Sequence, residues 1–394
     1  MNKMETQTPP QITDLSPSSR GLNRRAFLGR MATGAALLAP GAALLADEEG
    51  HHHHKLTKGD AALLRFAAAA EILETDFWVQ YNELAGIPDS EVMGGTPIKA
   101  YQDAIIQLDT DMPQYIHDNT EDEFTHFTFL NAYLVSKGAA PANLDKFRTL
   151  MGSTATGVNT SKIGKRLTNL TQLTLDTSWW TRYRDPEHNP DLDPNFVFPQ
   201  AVPSLFVGEH TAIPRTDKDL KNSDFVQAMA NTAGFHFATI EQGGNSLYPS
   251  MAQRATSVEV LRILISIGPT ETMHFQTWQD KAGNAIPLKN VKDPVTGVSV
   301  TFPDLAHDPR EDFTANLIMP EPCPFLSRSL PVCSIIRPTE TKGIAMGVVK
   351  FLTDMGLFKG QPPAFFDLLK QLAADADRAK RERDHDDSDD DDDE

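Results

Sequence analysis

Glu121-Asp-Glu-Phe-Thr-His-Phe-Thr-Phe-Leu130 is the stretch on which the reading of this chain turns. Glu123 and His126 are three apart, which puts both on one face of a helix, and Ile116, Phe127, Leu130 and Leu134 make that face apolar. A second step of the same spacing, Glu271-Thr-Met-His274, stands among Leu264, Ile267, Phe275 and Trp278. Each step follows another helix-like stretch with a Glu on its apolar face. The first is Glu71, with Leu64, Ala67, Glu74 and Trp78, and the second is Glu241, with Phe237, Ala238 and Tyr248. One Glu on each of two helices, and Glu-x-x-His on each of two more, is the ligand set of a carboxylate-bridged dinuclear metal site in a four-helix bundle.

A lone Glu-x-x-His carries little weight, and the chain holds others at Glu48–His51, Glu49–His52 and Glu382–His385, all in polar or low-complexity ends. The two internal steps differ because each interrupts an apolar stripe. A carboxylate facing a core is costly unless it is paired or binds a metal. Four carboxylates bring four negative charges and two neutral imidazoles bring none, so two divalent cations balance the set. Without cations the carboxylates would repel and mostly protonate. Read one at a time, each Glu could instead lie at the bundle surface and each His be a satisfied core residue. The order of six on four apolar faces argues for the metal.

These residues resemble the ferritin-like superfamily and, within it, the exported ferritin-like proteins related to plant desiccation-related and fungal stress-response proteins. The resemblance rests on Phe66-Ala-Ala-Ala-Ala-Glu71 running to Asp76-Phe-Trp78, on residues 121–130, on Ile240-Glu-Gln-Gly-Gly-Asn-Ser-Leu-Tyr248 and on Glu271-Thr-Met-His274. Ser327-Arg-Ser-Leu-Pro-Val-Cys-Ser-Ile-Ile-Arg337 is also similar to that group. It implies metal ligands at Glu71, Glu123, His126, Glu241, Glu271 and His274, and two divalent metals, iron or manganese, which both suit oxygen and imidazole donors. The chain departs from the family pattern at Gly268-Pro269, just before Glu271, where a kink is expected, and at Gly243-Gly244, after Glu241. Glu74 is a competing ligand on the first helix. Ferritin-like folds host iron storage, oxidases, manganese catalases and proteins without activity, so the resemblance assigns no catalytic residue.

Export is written at the N-terminus. Asn23-Arg-Arg-Ala-Phe-Leu28, followed by an Ala-rich apolar run from Met31 to Leu45, reads as a cleavable twin-arginine signal over residues 1–46. It implies the twin-arginine translocation machinery as a partner and a location in the periplasm or exterior of a bacterium. That route exports folded proteins, often with the cofactor loaded, which agrees with a metal site. No later stretch reaches the apolar length of a membrane span, so the chain does not read as an integral membrane protein. Cys323 and Cys333 are either a short-loop disulfide or two free thiols. The net charge is −18, and losing residues 1–46 removes five basic and two acidic residues, taking it to −21. Such a chain is not a nucleic-acid binder, which needs clustered Lys and Arg.

The rest of the chain divides readily. Residues 47–57 are a His-rich linker in which His51–His54 is a chelating tract, an incidental polar run or a tag. Residues 58–284 are the bundle, with helices expected at about 58–84, 98–137 (with a break near Pro113), 219–243 and, after a capping box at Thr256 and Glu259, up to Ala282. The crossover carries helical pieces near 145–151 and 162–184 and a long loop at 185–218. Residues 285–383 are an irregular covering segment with a hairpin at 291–300 and helices near 342–355 and 363–383. Residues 384–394, nine of them acidic, are a disordered tail.

The expected fold class is therefore all-α: a ferritin-like four-helix bundle with a long crossover and an irregular C-terminal cover. Glu123 and Glu271 are the expected bridges, with Glu71 and His126 on one metal and Glu241 and His274 on the other. Trp78, Tyr248 and Trp278 stand one or two turns from ligands, either as core residues or as hydrogen-bond partners and electron relays. A small substrate such as dioxygen or peroxide fits this reading. A non-catalytic stress-protective or structural protein is the alternative, and a cage-forming iron store fits worse, because long loops and an acidic tail suit a closed shell poorly.

Overall fold

Thr57 opens the first long helix, α1 (Lys58–Ala85), by accepting a hydrogen bond from the Asp60 amide at 3.0 Å, the usual way a hydroxyl satisfies an orphan N–H. The computed structural model describes residues 55–185, 188, 195–307, 320–321, 329, 333–334 and 342–382. The twin-arginine signal, His51–His54, Cys323 and the acidic tail lie outside them. Helix α1 is apolar on nearly every side, burying Leu63, Leu64, Phe66, Ala67, Phe77 and Trp78, as a helix surrounded by others must.

The next helices are α2 (Lys99–Ile105) and α3 (Met112–Ser136). The break expected near Pro113 falls just before it, because proline fits the first turn of a helix but not its interior. After the crossover, with its short helices α4 (Ser178–Arg182) and α5 (Pro203–Phe206), come α6 (Ser223–Ala252) and α7 (Val258–Ala282). The most extensive helix pairs are α1 with α3 and α6 with α7, and these four helices form the bundle. The fold is all-α, and the sheets among the described residues are two-stranded: β1 (Leu288–Lys292) with β2 (Ser299–Phe302), and β3 (Pro320–Glu321) with β4 (Cys333–Ser334). Helices α8 (Ile344–Asp354) and α9 (Pro363–Arg378) close the order, with α9 against α1 and α8 against α9. No described helix is long and apolar enough to cross a membrane.

Three expectations about the elements need correcting. Helix α6 does not stop at Gly243 but runs through Gly243, Gly244 and Pro249 to Ala252, since tertiary packing overrides local propensity. The N-cap of α7 is Ser257, whose hydroxyl accepts from the Glu259 amide at 3.2 Å, rather than Thr256. The amides of Thr256 and Ser257 instead donate to the two oxygens of Asp60, each at 2.9 Å, tying the starts of α1 and α7 together. Residues 162–184 form no continuous helix. Leu167, Leu170 and Leu173 mimic a helical stripe and are all buried, but the backbone bonds elsewhere. Asn169 N–H donates to Leu357 O, Thr174 N–H to Met355 O, and Leu173 pairs with His210. Asp76 on α1 holds this strap by accepting from the amides of Leu167 and Thr168, both at 2.9 Å.

Candidate metal centre

The four bundle helices bring Glu71 (α1), Glu123 and His126 (α3), Glu241 (α6), and Glu271 and His274 (α7) together in the core. Four of the six are 2% exposed or less, and none exceeds the intermediate range. Their donor atoms fall into two overlapping groups, Glu71/Glu123/His126/Glu271 and Glu123/Glu241/Glu271/His274, each spanning at most 4.8 Å. Glu123 and Glu271 are common to both. His126 Nδ1 lies 3.0 Å from Glu123 Oε2, 3.3 Å from Glu71 Oε2 and 3.3 Å from Glu271 Oε1. His274 Nδ1 lies 3.2 Å from Glu123 Oε1 and 3.4 Å from Glu241 Oε2.

The outer face of each imidazole is fixed by the opposite helix. Thr270 Oγ1 donates to Ile267 O at 2.6 Å, so its contact at 3.2 Å with His126 Nε2 is one in which the imidazole donates. His274 Nε2 donates to Asp122 Oδ2 at 3.2 Å. Thr270 and Asp122 are the residues immediately before Glu271 and Glu123, so each half of the bundle orients the other half's imidazole. A second reciprocity links α1 and α6. Trp78, seven residues after Glu71, donates through Nε1 to Glu241 Oε1 at 3.2 Å, and Tyr248, seven after Glu241, donates its hydroxyl to Glu71 Oε1.

The halves differ elsewhere. Asn119 Nδ2 donates to Glu123 Oε1 at 2.8 Å and Glu241 Oε1 at 3.1 Å, while its own Oδ1 accepts from Trp278 Nε1 at 2.7 Å. The equivalent position on α7, four residues before Glu271, is Ile267. Trp78 packs against both Phe237 and Trp278, with ring centroids 4.8 and 5.2 Å away, and these two rings lie 4.8 Å from each other, so the three form a cluster. On the opposite flank a cavity of about 40 Å³ touches Glu71 and Tyr248 and is walled by Leu73, Phe77 and Ile240, with Leu352 from α8. Glu74 lines this cavity beside the centre and belongs to neither donor group, although its buried Oε1 is also without a hydrogen-bond partner among the described residues.

The departures in helix pattern have a spatial reason. A Cβ on Gly244 would stand 2.5 Å from Glu271 Oε2, and one on Gly268 would stand 2.8 Å from Tyr248 Cβ. The glycines let α6 and α7 approach closely enough to admit the Glu271 carboxylate. Gly244→Ala is therefore expected to cost about 1–3 kcal/mol through overpacking and to weaken metal uptake. Gly243→Ala, whose Cβ would meet nothing within 4 Å, should instead gain up to about 1 kcal/mol of helix propensity with metal uptake unchanged. Thermal unfolding with metal analysis of the two variants separates these effects.

The electrostatics follow from burial. Burial, then Glu123, raises Glu71 to about 7, and burial, then Glu271 and Glu123 against the opposing pull of His274, raises Glu241 to about 8. Burial and Glu271 push Glu123 up as well, but His126 and His274 outweigh them and its value is lowered. Burial opposes charge on His126 and His274, yet Glu123 and Glu71 around the first, and Glu241 and Asp122 beside the second, hold both well above the ordinary imidazole value. Burial and Glu71 push the Tyr248 phenol up too, so it remains a donor.

Metal ions fit this donor set. Glu71 Oε2, Glu241 Oε2, both oxygens of Glu271 and His274 Nδ1 are buried without a hydrogen-bond partner. Unpartnered buried polar atoms of this kind mark an ion's position, and imidazoles with a fixed outer N–H present lone pairs inward. Sequence reasoning missed Asn119, Asp122 and Thr270. The internal repeat could have signalled the last two, since each directly precedes an expected bridging Glu.

The family model described as a ferritin-like domain matches residues 59–283, more than half of the chain. No curated protein and no solved structure matches the chain.

Proposed function

Because the chain belongs to the ferritin-like domain family, we propose that it is an exported protein holding two divalent metals, iron or manganese, which protects the cell envelope under oxidative stress by acting on dioxygen or peroxide. The observation that carries this is the convergence of two imidazole Nδ1 atoms on four carboxylates, with Glu123 and Glu271 shared between the two groups. Glu71 and His126 would hold one ion, Glu241 and His274 the other, and Glu123 and Glu271 both. A pair of such ions supplies redox capacity for a small oxidant.

The chain's own residues supply the rest. Asn119 fixes Glu123 and Glu241 through one amide, and Trp78 fixes Glu241 from the other helix. Tyr248 holds a hydrogen at Glu71 on the cavity side of the centre. That cavity of about 40 Å³ has room for two or three waters or one small oxidant. Its walls, Leu73, Phe77, Ile240 and Leu247, leave no space for a bulky organic substrate. Export is supported by Arg24-Arg25 and the apolar run after them, and relatedness to exported desiccation-type proteins by the segments around Glu71 and Tyr248.

Protein purified from the periplasm of a twin-arginine-competent host should carry about two iron or manganese ions per chain that depend on Glu123 and Glu271, and should consume peroxide or dioxygen. Arg24→Lys with Arg25→Lys should retain it in the cytoplasm. An intact fold with no bound metal would refute the metal reading, and metal without turnover would favour a structural role. Asp122→Ala is expected to weaken binding of one ion by about 10–100-fold, as loss of an orienting partner does, measured by competition with a chelator.

A further inference from the structure

On the far side of α3, His117 is 4% exposed and makes no hydrogen bond within the described residues, its Nδ1 being buried without a partner among them. Its Nε2 is aimed at the loop joining α1 to α2, where it lies 3.6 Å from Asp89 Oδ2 and 3.9 Å from Glu91 Oε2. Both separations exceed a hydrogen bond. They do match the spacing of two ligands on one cation, because bonds of about 2.1 Å at tetrahedral or wider angles leave donors roughly 3.4 Å or more apart. Asp118 and Glu121, the latter one turn along the same face, place carboxylate oxygens within 4.8 Å of a ring nitrogen of His117 and of each other. At 3.6 residues per turn, this face points away from Glu123 and His126, so the cluster is separate from the centre in the bundle core.

We propose that His117, Asp89 and Glu91, supported by Asp118 and Glu121, form a second, mononuclear site for a divalent cation. One imidazole among carboxylates suits manganese, iron or zinc over softer ions. Asp89 is presented for this by its other oxygen, Oδ1, which accepts from the amides of Glu91 at 2.7 Å and Val92 at 3.1 Å. The Asp89 side chain is 40% exposed and that of Glu91 19%, so the ion would exchange with solvent more readily than those in the core. It would fasten the 86–98 loop to α3; among the described residues the loop's backbone bonds reach α1, α2 and the crossover, as through Ile98 N–H to Leu84 O and Thr96 N–H to Gly157 O, and none reaches α3.

The test is equilibrium cobalt(II) loading of the full chain, counted after gel filtration, with circular dichroism to check the fold. His117→Ala should carry one cobalt fewer than the unsubstituted chain, and so should Asp89→Asn with Glu91→Gln, which removes only charge from an accessible loop and guards against misfolding of the first variant. Because counts are compared between variants, binding to His51–His54 cancels. In a Glu271→Ala background the His117-dependent ion should persist, so failure of the core reading and failure of this one are distinguishable. Equal cobalt counts with and without the His117 and Asp89/Glu91 substitutions would overturn the site and leave His117 as the partner of an ordinary ion pair.

Discussion

Replacing Glu123 or Glu271 with alanine is expected to abolish binding of both core metal ions, whereas alanine at Glu71, His126, Glu241 or His274 should leave one. The asymmetry follows from the overlap of the donor groups. Glu123 and Glu271 belong to both groups, and the other four residues to one each. Glu271 has no compensating hydrogen bond on either oxygen, so nothing else in the core performs its part. Elemental analysis of the six variants, each combined with His117→Ala so that only core ions are counted, checks the pattern, and retention of one ion by Glu271→Ala in that background would rule out its bridging role. The variants should also show how far the fold depends on metal. A carboxylate left among like charges destabilises the metal-free protein, so Glu271→Ala should lose the metal-dependent part of Tm while its metal-free form melts no lower than that of the unsubstituted chain.

Much of this centre was legible in the sequence because each proposed ligand lies on a helix whose core face is apolar, and helical spacing alone brings Glu123 to His126 and Glu271 to His274. The cross-helix contacts were not. Thr270 and Asp122 matter because of an imidazole on another helix, and Asn119 because Glu241 reaches it from α6. Gly243-Gly244 and Pro269 looked like breakers for a related reason. Propensity is a local quantity, while the need for Gly244 is set by the Glu271 carboxylate across the α6–α7 contact. The crossover misled in the opposite direction, since leucines at 167, 170 and 173 carry helical spacing but serve an extended strap held by Asp76.

The two reciprocal sets of contacts give the site its form. Duplicated halves place matching donors at matching offsets, Trp78 against Tyr248 and Asp122 against Thr270. Where the halves diverge, the environment diverges as well. Half one has Glu74 three residues after Glu71, and half two has Gly244 three after Glu241. That exchange leaves the cavity on one flank, while Asn119 and the stacked tryptophans close the other. A symmetric ligand set therefore sits within an asymmetric shell, with the cavity at Glu71 and Tyr248.

The second large effect is on pH. In the metal-free protein Glu71 is raised to about 7 and Glu241 to about 8, and His126 and His274 are also raised. A group whose folded value lies above its unfolded one stabilises the fold below the unfolded value and loses that contribution as pH rises through the folded value. The metal-free protein should therefore lose stability between about pH 5 and 9 through these groups, with the lowered Glu123 opposing in part over the acid range. Metal ions need the same groups deprotonated, so binding releases protons. With Glu71 giving up its proton to one ion and Glu241 to the other, these carboxyls alone should make the apparent affinity for each ion fall by about tenfold for each pH unit below 7, and the raised imidazoles steepen the fall. The rise in Tm on adding metal should accordingly be large at pH 8.5 and small at pH 5.5. Calorimetric titration in buffers of different ionisation enthalpy counts the protons directly. A proton count near zero, with a metal-induced Tm rise independent of pH, would show that the carboxylates do not hold the ions.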